Sequence, residues 1–429
     1  MKDVTGEGGF RSSKLLRGSA WILIAIGLQS AFGFVFWVMG SHVASARQLG
    51  QASALYTAVQ FVNYASGLGL TVALARHAVT RTRESDALFG WAIVATAVSS
   101  FIGGALYLSV ASSSATRLIS GSTTGWIVFC LYTAGTSIGL LTDVRLMAVG
   151  RWDFMVGRVI ITGVVRLALV NLHVAMSPAL WLYNLMLAPM AITGVLAAVL
   201  LPTVNAGRIS FARPAQLGSV ARYSGVNWAA TLASQAPQFV LPLVVAQSVA
   251  SARYANFFLA WTVTGLVFLV PGAISQVLLV EGSKDAHDTP VDHEPRQDRA
   301  REALAFSLGL ATVALLGALA VGQLAVVLFG ESYREAGRLL PLLTAAGIPW
   351  SIAAVRLAEA RIRRDQFATV AITMALGLGI VVPTVLWVPT HGTSGAVAAW
   401  LFGNVLAAIV AVAMHQRRRP VARLGAISG

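Results

Sequence analysis

A single arginine lies deep inside an apolar stretch of the chain, where a charged side chain is costly to place. Arg166 stands in GRVIITGVVRLALVNLHVAM (157–176), about eight residues, or roughly 12 Å at helical rise, beyond the start of the apolar run. Thr162 and His173 share its helical face by i−4 and i+7 spacing. A guanidinium at this depth should face the protein interior or a water-filled cavity, where it could contact a substrate. The alternative is a buried pairing of Arg166 with a carbonyl or carboxylate that braces two helices.

A second group of charged residues precedes this stretch in LLTDVRLMAVGRWDF (140–154). Arg145 is the candidate ligand contact here. Ordinary basic flanking of a membrane segment, with Asp143 and Asp153 paired to nearby arginines, is the alternative interpretation.

Amide side chains in other apolar stretches have two interpretations as well. They could bind sugar hydroxyls, or they could join helices to one another. The candidates are Gln29, Asn63, Asn227 and Gln235.

Motifs for catalysis or cofactor binding are missing from the sequence. It has no Walker A sequence, nucleophile elbow, metal-ligand cluster or acid pair, so we expect no enzyme activity, no cofactor and no metal site. His287 and His293 lie among the acids of residues 281–302 without regular ligand spacing, which predicts a solvated loop. Within the apolar runs only Asp143 and Glu359 are acidic, and both lie near run ends; this disfavours ion coupling through an embedded carboxylate.

The composition predicts the elements that position these residues. Of 429 residues, 56% are hydrophobic and only 11% are charged, so much of the chain must face lipid. Apolar runs of roughly 20 residues, long enough to cross the hydrocarbon core, lie near 18–40, 51–75, 88–111, 124–144, 159–176, 179–201, 223–248, 254–280, 304–329, 339–359, 367–388 and 395–414. Because bilayer lipid offers the backbone no hydrogen-bond partners, each run should be helical. The predicted fold is therefore an all-α polytopic membrane protein with twelve spans.

The basic residues predict the orientation of these spans. Twenty-five of the 31 Lys and Arg fall in the set of loops that contains both termini, and five fall in the opposite set. Basic residues resist translocation, so both termini are expected to be cytoplasmic. The net charge of +14 is thus explained without nucleic acid as a partner.

The pentapeptide VASAR occurs at 43–47 and again at 249–253. A second copy deep in the chain cannot be a signal-peptide cleavage site, and both copies are expected to end the first helix of a six-helix half. The repeat predicts an N-terminal lobe (1–202), a cytoplasmic linker (203–218) and a C-terminal lobe (219–429), with a substrate path between the lobes.

Four segments resemble the polysaccharide flippases of the multidrug/oligosaccharidyl-lipid/polysaccharide exporter superfamily. These segments are GSAWILIAIGLQSAFGFVFWVMGSHVASARQLGQASALY, DVRLMAVGRWDFMVGRVIITGVVRLALV, LFGESYREAGRLLPLL and HGTSGAVAAW. They lie in order over nearly the whole chain.

The resemblance implies twelve helices in two lobes and transport by alternating access. The implied cargo is a lipid-linked glycan of the undecaprenyl-pyrophosphate type, crossing the bacterial cytoplasmic membrane. Implied partners are this substrate, membrane lipids, and a glycan polymerase and glycosyltransferases of the same pathway. Two alternatives are a cation-coupled multidrug exporter, which the scarcity of embedded acids disfavours, and a membrane-embedded glycan polymerase or ligase, which the short outer loops disfavour.

Overall fold

The computed structural model describes residues 6–77, 82–172, 175–214, 217–268, 294–363 and 365–417. Within these ranges the regular elements are helices, and no strand is present. The helices are α1 (Gly6–Val43), α2 (Ala46–Ser66), α3 (Leu70–His77), α4 (Arg83–Val110), α5 (Arg117–Ser120), α6 (Thr123–Ala148), α7 (Trp152–Leu169), α8 (Pro178–Val199), α9 (Leu217–Ser248), α10 (described over 251–268), α11 (Glu294–Phe329), α12 (Arg334–Ala345), α13 (Gly347–Ile362) and α14 (Gln366–Gln416).

These helices confirm the all-α prediction. Seven segments of the described chain are long and apolar enough to cross a bilayer by length and composition, so the protein is a multi-pass membrane protein. Each of the twelve predicted runs overlaps helix in the part that the structure describes, which excludes 269–280. Helices α2 and α3 form one run, α12 and α13 another, and α14 two, since its backbone breaks at Gly392 (φ 60°, ψ −133°).

Three predicted boundaries are wrong. The second run is not continuous, because Leu68 and Gly69 adopt positive φ and separate α2 from α3. Helix α7 ends at Leu169 rather than near residue 176, so the turn before α8 is longer than the two-residue hairpin expected from Ser177 and Pro178. Of the solvated loop predicted over 281–302, residues 281–293 lie outside the described residues. Residues 294–302 form the start of α11, so the predicted end of the loop is wrong.

Side-chain caps define where several helices begin. Ser45 accepts a bond from the Gln48 amide while the Gln48 side chain accepts from the Ser45 amide, a reciprocal capping box at the start of α2. The first VASAR copy therefore forms the junction of α1 and α2, and the second copy lies at the junction of α9 and α10. Both copies end one helix and begin the next, as expected for a repeated unit.

The chain divides into two compact units, residues 1–232 and 233–429, with the boundary inside α9. In the N-terminal unit, α6 packs against α2, α4, α7 and α8. In the C-terminal unit, α13 packs against α11 and α14.

Small residues bring α6 and α8 into backbone contact. A Cβ built on Gly194 of α8 would lie 2.7 Å from the Gly139 Cα and 3.0 Å from the Gly135 carbonyl oxygen of α6. A Cβ on Gly135 would lie 2.7 Å from the Ala191 Cβ. Because lipid removes the hydrophobic drive for helix association, such close packing supplies much of the attraction between helices.

Replacing Gly194 with alanine should therefore destabilise the protein. The added methyl meets the α6 backbone, which cannot rotate away, and overpacking of this kind typically costs about 1–3 kcal/mol. Gly157→Ala on α7 is the matched control: its new Cβ meets no atom within 4 Å, and it removes a helix glycine. Thermal unfolding in detergent should show a lower Tm for Gly194→Ala only. An equal or higher Tm for Gly194→Ala would contradict this account of the α6–α8 contact.

Candidate functional site

Arg166 lies in the last turn of α7 and is buried, with 3% of its surface exposed. One terminal nitrogen donates to the Met186 carbonyl of α8 at 2.6 Å, and its Nε has no hydrogen-bond partner. It forms no ion pair with any described residue. Tyr56 of α2 is close enough to interact with it electrostatically. Arg166 is therefore a buried cation with spare donor capacity.

The position of the Arg166 guanidinium relative to the ends of the helices is best measured along α8, because its acceptor lies there. Met186 is eight residues, about 12 Å, from the start of α8 at Pro178. The guanidinium is thus well inside the helix pair, although α7 ends only three residues later. The partial negative charge at the C-terminal end of α7 offsets part of the cost of burying this cation.

A proline of α8 lies close to this contact. Pro189 lies inside α8 and lacks an amide hydrogen, so the Leu185 carbonyl loses its usual helical donor. The neighbouring Met186 carbonyl accepts from Arg166, and the Thr193 hydroxyl donates to the Pro189 carbonyl at 2.6 Å. The carbonyl that Arg166 contacts is therefore adjacent to the position where the hydrogen-bond ladder of α8 is interrupted.

Arg158, Thr162 and Arg166 form one polar face of α7 at four-residue spacing. The Thr162 hydroxyl lies 3.0 Å from that of Thr193, and Arg158 makes a two-pronged ion pair with Asp143 of α6. The local pairing expected for Asp143 is confirmed. This α7 polar face links α7 to both α6 and α8 and aligns Arg166 with them.

Arg145 of α6 is fully buried and occupied by protein partners. Its Nε donates to the Ala206 carbonyl at 3.0 Å, and its terminal nitrogens donate to Ser85 at 3.1 Å and Asp86 at 2.7 Å. Gly207, at φ 99°, passes so close that a Cβ there would lie 2.4 Å from the guanidinium. These contacts fasten the chain after α8 to α4 and α6, which is a positioning arrangement.

Among the predicted amides, Asn63 has the best-defined surroundings. It is buried, donates to Thr136 at 2.8 Å and accepts from Ser137 at 2.9 Å, which joins α2 to α6. Gln29 and Gln235 have exposed side chains. His173 and the side chain of Asn227 lie outside the described residues. Thr162 and Arg166 are thus the predicted residues that the structure brings together.

Two arrangements, one in each unit, were not found from the sequence. Tyr56 and Gln60 of α2 are bonded to each other at 3.3 Å, and Tyr56 is the aromatic neighbour of Arg166. In the C-terminal unit Arg356 pairs with Glu359 at 2.7 Å, as the i,i+3 spacing predicts, but His415 of α14 joins them, 3.7 Å from Glu359. The contact of His415 needs the return of α14 to α13, which local spacing cannot reveal.

Solved transporter structures share this fold. A multidrug resistance MATE family transporter of the MOP superfamily, in an inward-facing conformation, matches with a TM-score of 0.70 and 14% identity, over 95% of this chain and 99% of its own. The lipid II flippase MurJ, in an inward closed conformation, matches with a TM-score of 0.70 and 12% identity, over 92% and 87%. A MOP superfamily transporter from Pyrococcus furiosus, described as having a binding pocket of reverse polarity that suggests a different function, matches with a TM-score of 0.61 and 14% identity, over 94% and 95%.

No protein-family model and no curated protein sequence matches the chain. The chain has the fold of the MOP-superfamily transporters, and the resemblance inferred from its sequence is confirmed at the level of fold.

The buried Arg145 arrangement generates a stability prediction. Arg145→Ala removes the donor that bonds Asp86, Ser85 and the Ala206 carbonyl together, and breaking a buried pair typically costs about 3–5 kcal/mol. A double variant, Arg145→Met with Asp86→Asn, should recover part of this loss because no unpaired charge remains.

The exposed pair Arg334–Glu331 provides the control. Arg334→Ala should change stability by about 0–1 kcal/mol, as surface ion pairs usually do. Thermal unfolding of the three variants checks the order. A Tm for Arg145→Ala equal to that of Arg334→Ala would rule out the positioning role.

Proposed function

We propose that the protein is a flippase that moves an anionic lipid-linked glycan, of the undecaprenyl-pyrophosphate type, across the bacterial cytoplasmic membrane by alternating access. The observation that carries this proposal is Arg166, a buried cation with no ion-pair partner among the described residues and an unused Nε. A pyrophosphate would satisfy that donor and balance the charge.

The positive charge of Arg166 favours this function over the export of cationic drugs. A buried guanidinium repels a cationic cargo and attracts an anionic one, and the cost of burying it argues for a compensating ligand. The MurJ structure is named a lipid II flippase, which supports a lipid-linked cargo for this fold. Structures named multidrug transporters share the same fold, so the charge of the site is the stronger argument.

Arg166 is covered in this conformation, so a ligand would have to displace its present acceptor. In the proposed cycle the Met186 carbonyl holds the guanidinium while the site is empty, and a phosphate oxygen replaces it when substrate enters. The interruption of α8 at Pro189 gives this helix a point at which to bend. Thr162 keeps the α7 polar face in register with α8 through Thr193.

Transport by Arg166 variants tests the proposal. Proteoliposomes would carry an undecaprenyl-pyrophosphate-linked disaccharide with a fluorophore on its sugar, and a membrane-impermeant quencher would report the lipid that reaches the outer leaflet. Arg166→Ala should reduce the rate at least tenfold, while Arg166→Lys retains part of it because lysine keeps the charge and loses the planar fork. Arg208→Ala, an exposed loop arginine of the same unit, is the control and should flip at the wild-type rate.

Stability measurements separate binding from bracing. If Arg166 only braces α7 against α8, Arg166→Ala should lower the Tm and Arg166→Lys should restore both Tm and transport. A stable, fully active Arg166→Ala protein would exclude the substrate contact. Transport of a cationic dye in place of the labelled lipid would favour drug export instead.

The proposed orientation places both termini in the cytoplasm and can be tested by labelling. In a Cys130→Ala background, Leu172→Cys and Phe211→Cys introduce thiols at positions whose side chains are 52% and 62% exposed. An impermeant maleimide should label position 172 in intact cells and position 211 only after permeabilisation. Labelling in the reverse order would invert the topology.

A further inference from the structure

An apolar pocket of about 340 Å³ lies within the N-terminal unit, apart from Arg166. Its walls come from the break between α2 and α3, from α3 itself, from the first half of α4 and from the first half of α9. Residues that line it include Leu74, Leu88, Trp91, Ser224, Gly225 and Trp228. The exposed side chain of Trp91 marks one open side.

The α2–α3 break fixes the floor of this pocket. Gly69, at φ 65°, packs so tightly that a Cβ there would lie 2.3 Å from the Ser224 carbonyl oxygen and 2.7 Å from the Trp228 amide nitrogen. The Trp228 indole donates to the Ala65 carbonyl at 2.8 Å. These contacts hold α9 against the break, so the pocket is formed by anchored backbone.

The pocket lining is almost wholly apolar, and two exposed arginines outside the lining lie close to it in sequence. Leu88 and Val220 lie near the first turns of α4 and α9, where Arg83 and Arg222 have exposed side chains. Ser224 follows one turn beyond Val220, and Trp228 lies one further turn along α9. A cationic, a hydroxyl and an aromatic residue (Arg222, Ser224 and Trp228) therefore follow one another along α9, and the last two line the pocket.

Ser224 carries the observation that identifies the ligand. Its residue is 4% exposed, and its hydroxyl has no hydrogen-bond partner. Burying a hydroxyl without a hydrogen-bond acceptor is unfavourable. A purely hydrocarbon ligand would not supply an acceptor, so the ligand should carry one. An ester carbonyl at the top of an acyl chain would accept its hydrogen bond.

We propose that this pocket binds one acyl chain of an anionic glycerophospholipid, with its ester carbonyl at Ser224 and its phosphate at Arg83 and Arg222. The order of these groups along α9 matches the order of phosphate, ester and acyl chain in such a lipid. The two exposed arginines attract an anionic head group, and the leucine and tryptophan side chains surround the chain. A prenyl phosphate has no ester carbonyl and leaves Ser224 unpaired.

Thermal shifts of the delipidated full-length protein test this site. Dioleoyl phosphatidylglycerol should raise the Tm more than phosphatidylcholine with the same chains, because only the former has a net negative head group. It should also exceed the ether-linked phosphatidylglycerol, which lacks the ester carbonyl. Each shift is measured against the same variant without lipid.

Two glycines of α9 provide a matched pair of variants. A Cβ at Gly225 or at Gly218 meets no atom within 4 Å, but only Gly225 lines the pocket. Gly225→Leu should fill the space and lose most of the phosphatidylglycerol shift, while Gly218→Leu keeps it. Ser224→Ala should make ester and ether lipids equivalent, and Arg222→Gln should reduce the preference for phosphatidylglycerol, with Arg208→Gln as its control.

A full phosphatidylglycerol shift in Gly225→Leu would overturn the pocket assignment. An equal response of the wild-type protein to ester and ether lipids would overturn the role of Ser224. A larger shift with undecaprenyl phosphate than with phosphatidylglycerol would assign the pocket to a prenyl chain and overturn the proposed ligand. Phosphatidylglycerol with brominated acyl chains should quench the tryptophan fluorescence of the wild type more than that of Trp228→Phe. This measurement reports occupancy of the pocket even where a pocket variant is poorly stable.

Discussion

The contact between α6 and α8 is the interaction on which the N-terminal unit depends. Gly135, Gly139 and Gly194 allow the two backbones to approach more closely than any side chain would permit. In lipid, apolar side chains gain little by leaving their surroundings, so close packing and hydrogen bonds hold helices together. With α8 fixed on α6, α7 can place its polar face against both, which sets the position of Arg158, Thr162 and Arg166.

This arrangement distributes buried charge in two different ways. Arg145 and Arg158 each have a carboxylate partner, Asp86 and Asp143, so the cost of burying them is offset within the protein. Arg166 has one carbonyl acceptor and no carboxylate among the described residues. The same unit therefore contains arginines that stabilise the fold and one whose charge is incompletely balanced.

Some of this could be predicted from sequence because a charge in an apolar run is conspicuous. The helices followed from run length, and Arg166 followed from its isolation. The early end of α7 and the break at Leu68 and Gly69 did not, since both stretches are as apolar as their surroundings and only tertiary packing decides them. Arg145 and Asn63 were candidate ligand contacts because the sequence shows a polar side chain but not the protein group to which it is bonded. Their hydrogen-bond partners Asp86, Thr136 and Ser137 lie on other helices, 59 to 74 residues away along the chain.

The distinction between a brace and a ligand contact then rests on how easily the acceptor can be exchanged. Arg145 would have to abandon a carboxylate, a hydroxyl and a carbonyl together, and the neighbouring Gly207 backbone closes over it. Arg166 would abandon one carbonyl, beside a proline where α8 already lacks part of its hydrogen-bond ladder. A phosphate oxygen would offer an anionic acceptor in place of a neutral carbonyl, and the unused Nε adds a second donor. Exchange of the acceptor therefore requires fewer contacts to break at Arg166 than at Arg145, which is why the proposed function places the cargo at Arg166.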